Sequence, residues 1–99
     1  MRFRNHLRKL AKTSKHYRSQ HAALVAKGKS VLAQSTNTEG HHAEASALAS
    51  LWSTSAAKGA TLYTLMRRTK SGSLGNGAPC PACMDLIKAA KIRRVVVYV

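Results

Sequence analysis

Gly40-His41-His42-Ala43-Glu44 and, beyond thirty-four intervening residues, Pro79-Cys80-Pro81-Ala82-Cys83 decide how this chain is read. Together they supply one imidazole and two thiols, with a carboxylate two residues beyond the imidazole. Zinc accepts neutral imidazole and thiolate as ligands, and three protein ligands leave a fourth tetrahedral position for water. Each group opens a predicted helix. Residues 41–57 are rich in Ala, Leu and Ser without Gly or Pro, and end near Lys58-Gly59, a glycine C-cap. A second helix is predicted from Pro81 to about Ala90, with proline in its first turn. Unpaired N–H groups and the dipole at a helix start favour thiolate, and the i, i+3 spacing of Cys80 and Cys83 aims both sulfurs at one point. A C-x-x-C opening a helix also describes thioredoxin-like redox sites. The H-x-E on a preceding helix favours zinc over that reading. A structural zinc ribbon would need a fourth ligand, and His41 is expected to point away from its neighbour His42. His6, His16 and His21 carry no ligand spacing and read as ordinary histidines.

Working outward, residues 2–18 place Phe3, Leu7, Leu10, Ser14 and Tyr17 on one helical stripe, with Arg4, Arg8, Lys12, Lys15 and Arg18 largely outside it. That predicts an amphipathic helix with a basic outer face; an organellar transit peptide is the other reading of an acid-free, Arg-rich start. His21–Ala26 and Ser30–Ser35 are apolar runs around Lys27-Gly28-Lys29, which suggests a β-hairpin. Thr36–Gly40 reads as loop, Ala60–Thr69 as a strand, and 70–78 as a flexible Gly/Ser connection. Arg94–Val99 is an apolar run of the kind that fills a central strand covered on both faces. The order α-β-β-α-β-α-β indicates a compact α/β/α sandwich with right-handed crossovers.

Ninety-nine residues at 44% hydrophobic allow one globular domain, spanning 1–99, with a modest core. No apolar run approaches the ~20 residues needed to span a bilayer, and the start lacks a signal-peptide h-region. With both cysteines in one C-x-x-C, an intracellular setting is expected, cytoplasmic or nucleoid/nuclear. Seventeen Lys and Arg stand against three acids, Glu39, Glu44 and Asp85, for a net charge of +14. Such an excess favours a polyanionic partner, although a solubilising surface would share it.

The H-x-E … P-C-x-x-C pattern resembles that of the cytidine deaminase superfamily, in the branch with one His and two Cys ligands, which holds deoxycytidylate deaminases, tRNA adenosine deaminases and APOBEC-type polynucleotide deaminases. The resemblance runs from about Arg18 to Val99 in element order as well as motif. It implies Zn2+ held by His42, Cys80 and Cys83, with Glu44 as proton shuttle. The family's asparagine at the end of the second strand falls on Asn37, an expected substrate contact. Ala43, Pro79 and His41 beside the ligands are further candidate contacts. Two departures stand out: the Glu44–Pro79 separation exceeds the APOBEC-type spacing, and the chain is expected to lack the family's usual C-terminal helix and fifth strand. Its last strand would leave an edge suited to pairing with a second copy.

The resemblance leaves the substrate open. Arg4, Arg8, Lys12, Lys15, Arg67, Arg68 and Lys70, with Arg93 and Arg94, are candidate phosphate contacts. They point to cytosine deamination in single-stranded nucleic acid, DNA weakly preferred to RNA, with no membrane role. Trp52, Tyr63 and Tyr98 are of the type that stacks bases, although their spacing suits core. A free cytidine or deoxycytidylate deaminase is the alternative, and a non-catalytic zinc module that binds nucleic acid is a third reading. The third has no use for Glu44.

Overall fold

A computed structural model of the chain describes residues 3–14, 19–37, 43, 46, 47, 58–75, 79 and 81–98. Its elements are α1 (Arg4–Ala11), β1 (Ser19–Lys27), β2 (Ser30–Thr36), β3 (Thr61–Arg68), β4 (Leu74–Gly75), α2 (Pro81–Ala89) and β5 (Arg94–Tyr98). Ala43, Ser46 and Ala47 are helical, within the helix expected over 41–57.

The β1–β2 hairpin forms as the sequence indicates. Lys27 pairs with Ser30 across a two-residue turn in which Gly28 holds φ 57°, a left-handed conformation that glycine adopts without a Cβ clash. The register shifts by one between Val25↔Ala33 and Ala26↔Val31, so Leu32 is an extra residue on β2, a β-bulge. β3 pairs antiparallel with β1 along its whole length and parallel with β5 from Thr61↔Arg94 to Leu65↔Tyr98. β4 pairs with β3 at Met66 and Arg67, just past the end of β5. β4 and β5 therefore occupy successive stretches of one edge of β3. The sheet runs β2-β1-β3-β5, extended by β4.

Side chains alternate between two covered faces. Ala22, Leu24, Ala26, Leu65 and Tyr98 pack with Phe3, Leu7 and Ala11 of the α1 layer. Ala23, Val25 and Leu62 face Ala43, Ala47, Ala60, Ile87 and Ala90. The result is the α/β/α sandwich expected. Leu7, Leu24 and Leu65 are fully buried, worth ~1.5–3 kcal/mol each.

Three expectations need correction. The helix predicted over 2–18 ends at Ala11. Thr13 Oγ1 donates to the Leu10 carbonyl at 2.6 Å, and the Ser14 N–H bonds Ala11 O, so local hydroxyl bonding closes the last turn. The connection predicted as flexible over 70–78 contains β4. Gly75 leaves room for the end of the Met66 side chain, whose Cε would otherwise have to move aside for a Cβ. β5 is apolar because helices cover both its faces, not because it is central: among the described residues it pairs on one side only. Tyr63 and Tyr98 are core-side residues, with Phe3 edge-on to Tyr63 at 4.8 Å and Tyr63 stacked on Tyr98 at 6.1 Å; Trp52 lies outside the described residues.

Candidate active site

Topology gathers the candidate residues at one end of the sheet. β3 and β5 are parallel, so α2 returns the chain from the C-terminal end of β3 to its start. The first turn of α2 therefore lies where β3 ends, β1 begins and β2 runs into Asn37.

Cys83 is the third residue of α2, and its side chain is buried. It lies on the stripe Cys83–Ile87–Ala90 that faces the sheet. A thiol held against the sheet in a first helical turn, where the dipole favours thiolate, suits a zinc ligand. Pro79 is half-buried, and Ala43 is fully buried against the same layer. The donor set of one imidazole and two thiolates fits zinc. His41, His42, Glu44 and Cys80 lie outside the described residues, as does Lys15. Among the described residues no three His, Cys, Asp or Glu side chains cluster.

Asn37 is buried and serves as a clamp. Its Oδ1 accepts from the His21 N–H and the Ser14 hydroxyl, both at 2.8 Å, and its Nδ2 donates to Ser19 O at 2.9 Å. A backbone N–H can only donate and a carbonyl only accept, so these partners fix the amide orientation. The Asn37 backbone N–H donates to His21 O at 3.0 Å, and its carbonyl lies 2.9 Å from Ser14 Oγ, so the single Ser14 hydroxyl proton is shared between this carbonyl and Oδ1. The side-chain oxygen is thus committed to structure. The second amide hydrogen has no partner among the described residues.

Sequence reading passes over His21, yet its Nε2 lies 2.8 Å from Oγ1 of fully buried Thr64. His21, Ala23 and Val25 alternate onto the α2 face, so this pair belongs to the side that carries Cys83. The signal was the strand period of two, which becomes decisive only once β1 and β3 are in register.

The candidate phosphate contacts differ among themselves. Arg8, Lys12, Arg68 and Lys70 are exposed, whereas Arg4 and Arg67 are half-buried. Arg67 Nη1 donates to Gln20 Oε1, and its buried Nε has no partner among the described residues.

The family model for the cytidine and deoxycytidylate deaminase zinc-binding region matches residues 2–99. No curated protein matches this chain. Among solved structures, form 2 of Acinetobacter baumannii RibD is similar at TM-score 0.61 and 22% identity, over 93% of this chain and 25% of that one. Form 1 of the same protein gives TM-score 0.62 and 23% identity, over 93% and 24%. The apo dCMP deaminase of cyanophage S-TIM5 gives TM-score 0.60 and 22% identity, over 94% of this chain and 79% of that one. At these identities the likeness is one of fold. The chain spans about a quarter of the length of RibD.

Proposed function

Because the chain belongs to the cytidine and deoxycytidylate deaminase family, whose matched region is zinc-binding, we propose that it is a hydrolytic deaminase converting cytosine to uracil in single-stranded nucleic acid. The observation that carries the choice of substrate is the charge. The chain bears +14, and Lys12, Arg68 and Lys70 are exposed on the sheet end that also holds Asn37 and the first turn of α2. A free nucleotide needs the charge of one phosphate neutralised; a polynucleotide uses many such cations. An open strand is preferred because a base inside a duplex must first be unpaired and unstacked.

His42, Cys80 and Cys83 are the residues that would hold zinc. When bound, zinc supplies Lewis acidity that makes water a nucleophile near neutral pH. Glu44 takes the proton from the attacking water and delivers it to N3 of the ring. The water oxygen bonds to C4; the carboxylate then takes the remaining proton from the new C4 hydroxyl and passes it to the amine, so that C4=O forms as the C4–N4 bond breaks and ammonia leaves. Asn37 donates its remaining N–H to an acceptor oxygen of the substrate. The pair of half-buried His21 and buried Thr64 stiffens the strand against which Asn37 is clamped.

A second reading, deamination of free deoxycytidylate, is favoured by the likeness to the cyanophage dCMP deaminase, 79% of which this chain covers. Rates on a single-stranded oligonucleotide containing cytosine and on deoxycytidylate, measured side by side, separate the two. The polynucleotide reading expects the larger kcat/KM on the oligonucleotide. Turnover of deoxycytidylate with none on the oligonucleotide overturns it.

A further inference from the structure

The end of the sheet away from the candidate active site carries its own row of cations. Lys27 and Lys29 flank the β1–β2 turn. Lys58 precedes Gly59, whose N–H bonds Lys91 O at 3.0 Å. The Arg93 N–H bonds Ala60 O at 2.8 Å, and Arg94 stands opposite Thr61 in the parallel pair. Neighbouring strands thus set Lys27, Lys29, Lys58, Lys91, Arg93 and Arg94 side by side, across three strand spacings or ~14 Å. All six are exposed, and none forms an ion pair among the described residues. Asp85, the acid among the described residues, sits midway along α2, outside this row.

The backbone adds a second observation. Gly28 (φ 57°), Gly59 (φ 78°) and Lys91 (φ 58°) all hold left-handed conformations here. Two of these turns use glycine, the residue that left-handed backbone selects. The third keeps lysine despite the clash of its Cβ. Complementing the helix dipole does not account for this, since Lys88 already places a cation in the last turn of α2.

We infer that this row is a second docking surface for single-stranded nucleic acid, remote from the reacting base, which anchors the strand by its phosphates. The inference rests on the polynucleotide reading and extends it. β3 has eight residues between the two ends, so the row lies ~23 Å from the site end at strand rise. At ~3.4 Å per stacked nucleotide, about seven nucleotides span that distance. Affinity should therefore rise with oligonucleotide length up to and past about seven nucleotides, as the strand reaches the second surface.

The test uses the full chain and oligothymidylates, which contain no cytosine, so that binding is read apart from chemistry. Fluorescence anisotropy with a 15-mer compares wild type with a variant carrying Gln at all six positions, and with K27Q/K29Q, confined to the exposed hairpin turn. The six-fold variant is expected to bind at least tenfold more weakly and to lose the length dependence. Its log K against log salt slope should flatten by up to about 4, at ~0.7 per phosphate contact in a single strand. K27Q/K29Q should move the same way by less, and circular dichroism of both variants should match wild type. Unchanged 15-mer affinity in both variants overturns the docking surface, even if cytosine oligonucleotides are deaminated. Row-dependent binding without oligonucleotide deamination keeps the surface and removes the substrate reading. Row-dependent binding to phosphatidylserine vesicles, with none to oligothymidylate, overturns it in favour of a membrane.

Discussion

The two faces of the sheet are built from different materials. Among the described residues the α1 face is filled by Phe3, Leu7, Leu24, Leu65 and Tyr98 beside Ala11, Ala22 and Ala26, whereas the α2 face has more alanine: Ala23, Ala43, Ala47, Ala60 and Ala90 beside Val25, Leu62 and Ile87. Large side chains contribute most of the burial energy. Small ones let a helix approach a strand closely, and close approach is what a site assembled from helix starts on a sheet requires. The difference puts more of the burial energy on the α1 face and leaves Cys83 on the face of smaller side chains. Asn37 joins them: it bonds Ser14, just past α1, and His21, whose side chain lies on the α2 face.

Variants can break this division in order of size. Glu44→Gln should cut deamination by roughly 10²–10⁴-fold, the usual worth of general acid–base catalysis, with zinc content and melting temperature unchanged. Near-normal turnover would remove Glu44 as the proton shuttle, whereas no deamination by the wild type on any cytosine substrate would favour a zinc-containing binding module instead. Leu24→Ala, at a fully buried α1-face position, should lose about 2–5 kcal/mol in denaturant unfolding, while residual folded protein keeps its zinc. A loss below 1 kcal/mol would show that this face does not carry the stability.

Asn37→Ala should affect both faces. It removes Oδ1 from the His21 N–H and Nδ2 from the Ser19 carbonyl, whereas the Ser14 hydroxyl keeps the backbone carbonyl of residue 37 as acceptor. Each buried group left unsatisfied costs about 1–3 kcal/mol, though water entering the gap will offset part of this. Lower stability together with a raised KM supports the joint role; a change in stability alone confines Asn37 to structure.

What the sequence disclosed follows from the range of the forces involved. The Gly28 turn and the α2 start at Pro81 are set by residues adjacent in the chain, and both were legible. The zinc-binding character of the family was legible too, from residue types rare in combination, and the family model over residues 2–99 is that of a zinc-binding region; His42, Glu44 and Cys80 themselves lie outside the described residues. The early end of α1 was hidden, since the apolar stripe continues through Ser14 while Thr13 closes the turn through a hydroxyl bond. β4 is two residues long and exists only through its pairing with Met66 and Arg67, which no local pattern records. The His21–Thr64 contact joins residues 43 apart in sequence and requires the register of β1 on β3. The cation row at the far end of the sheet is likewise scattered in sequence and contiguous only in the fold.

The central claim is that the α2 face assembles a zinc site around Cys83. Elemental analysis of the purified chain beside its Cys80→Ala/Cys83→Ala variant tests it most directly, with circular dichroism to confirm that the sheet persists. The account predicts one equivalent of zinc per chain in the wild type and little or none in the variant. Unchanged zinc in a folded variant would contradict it.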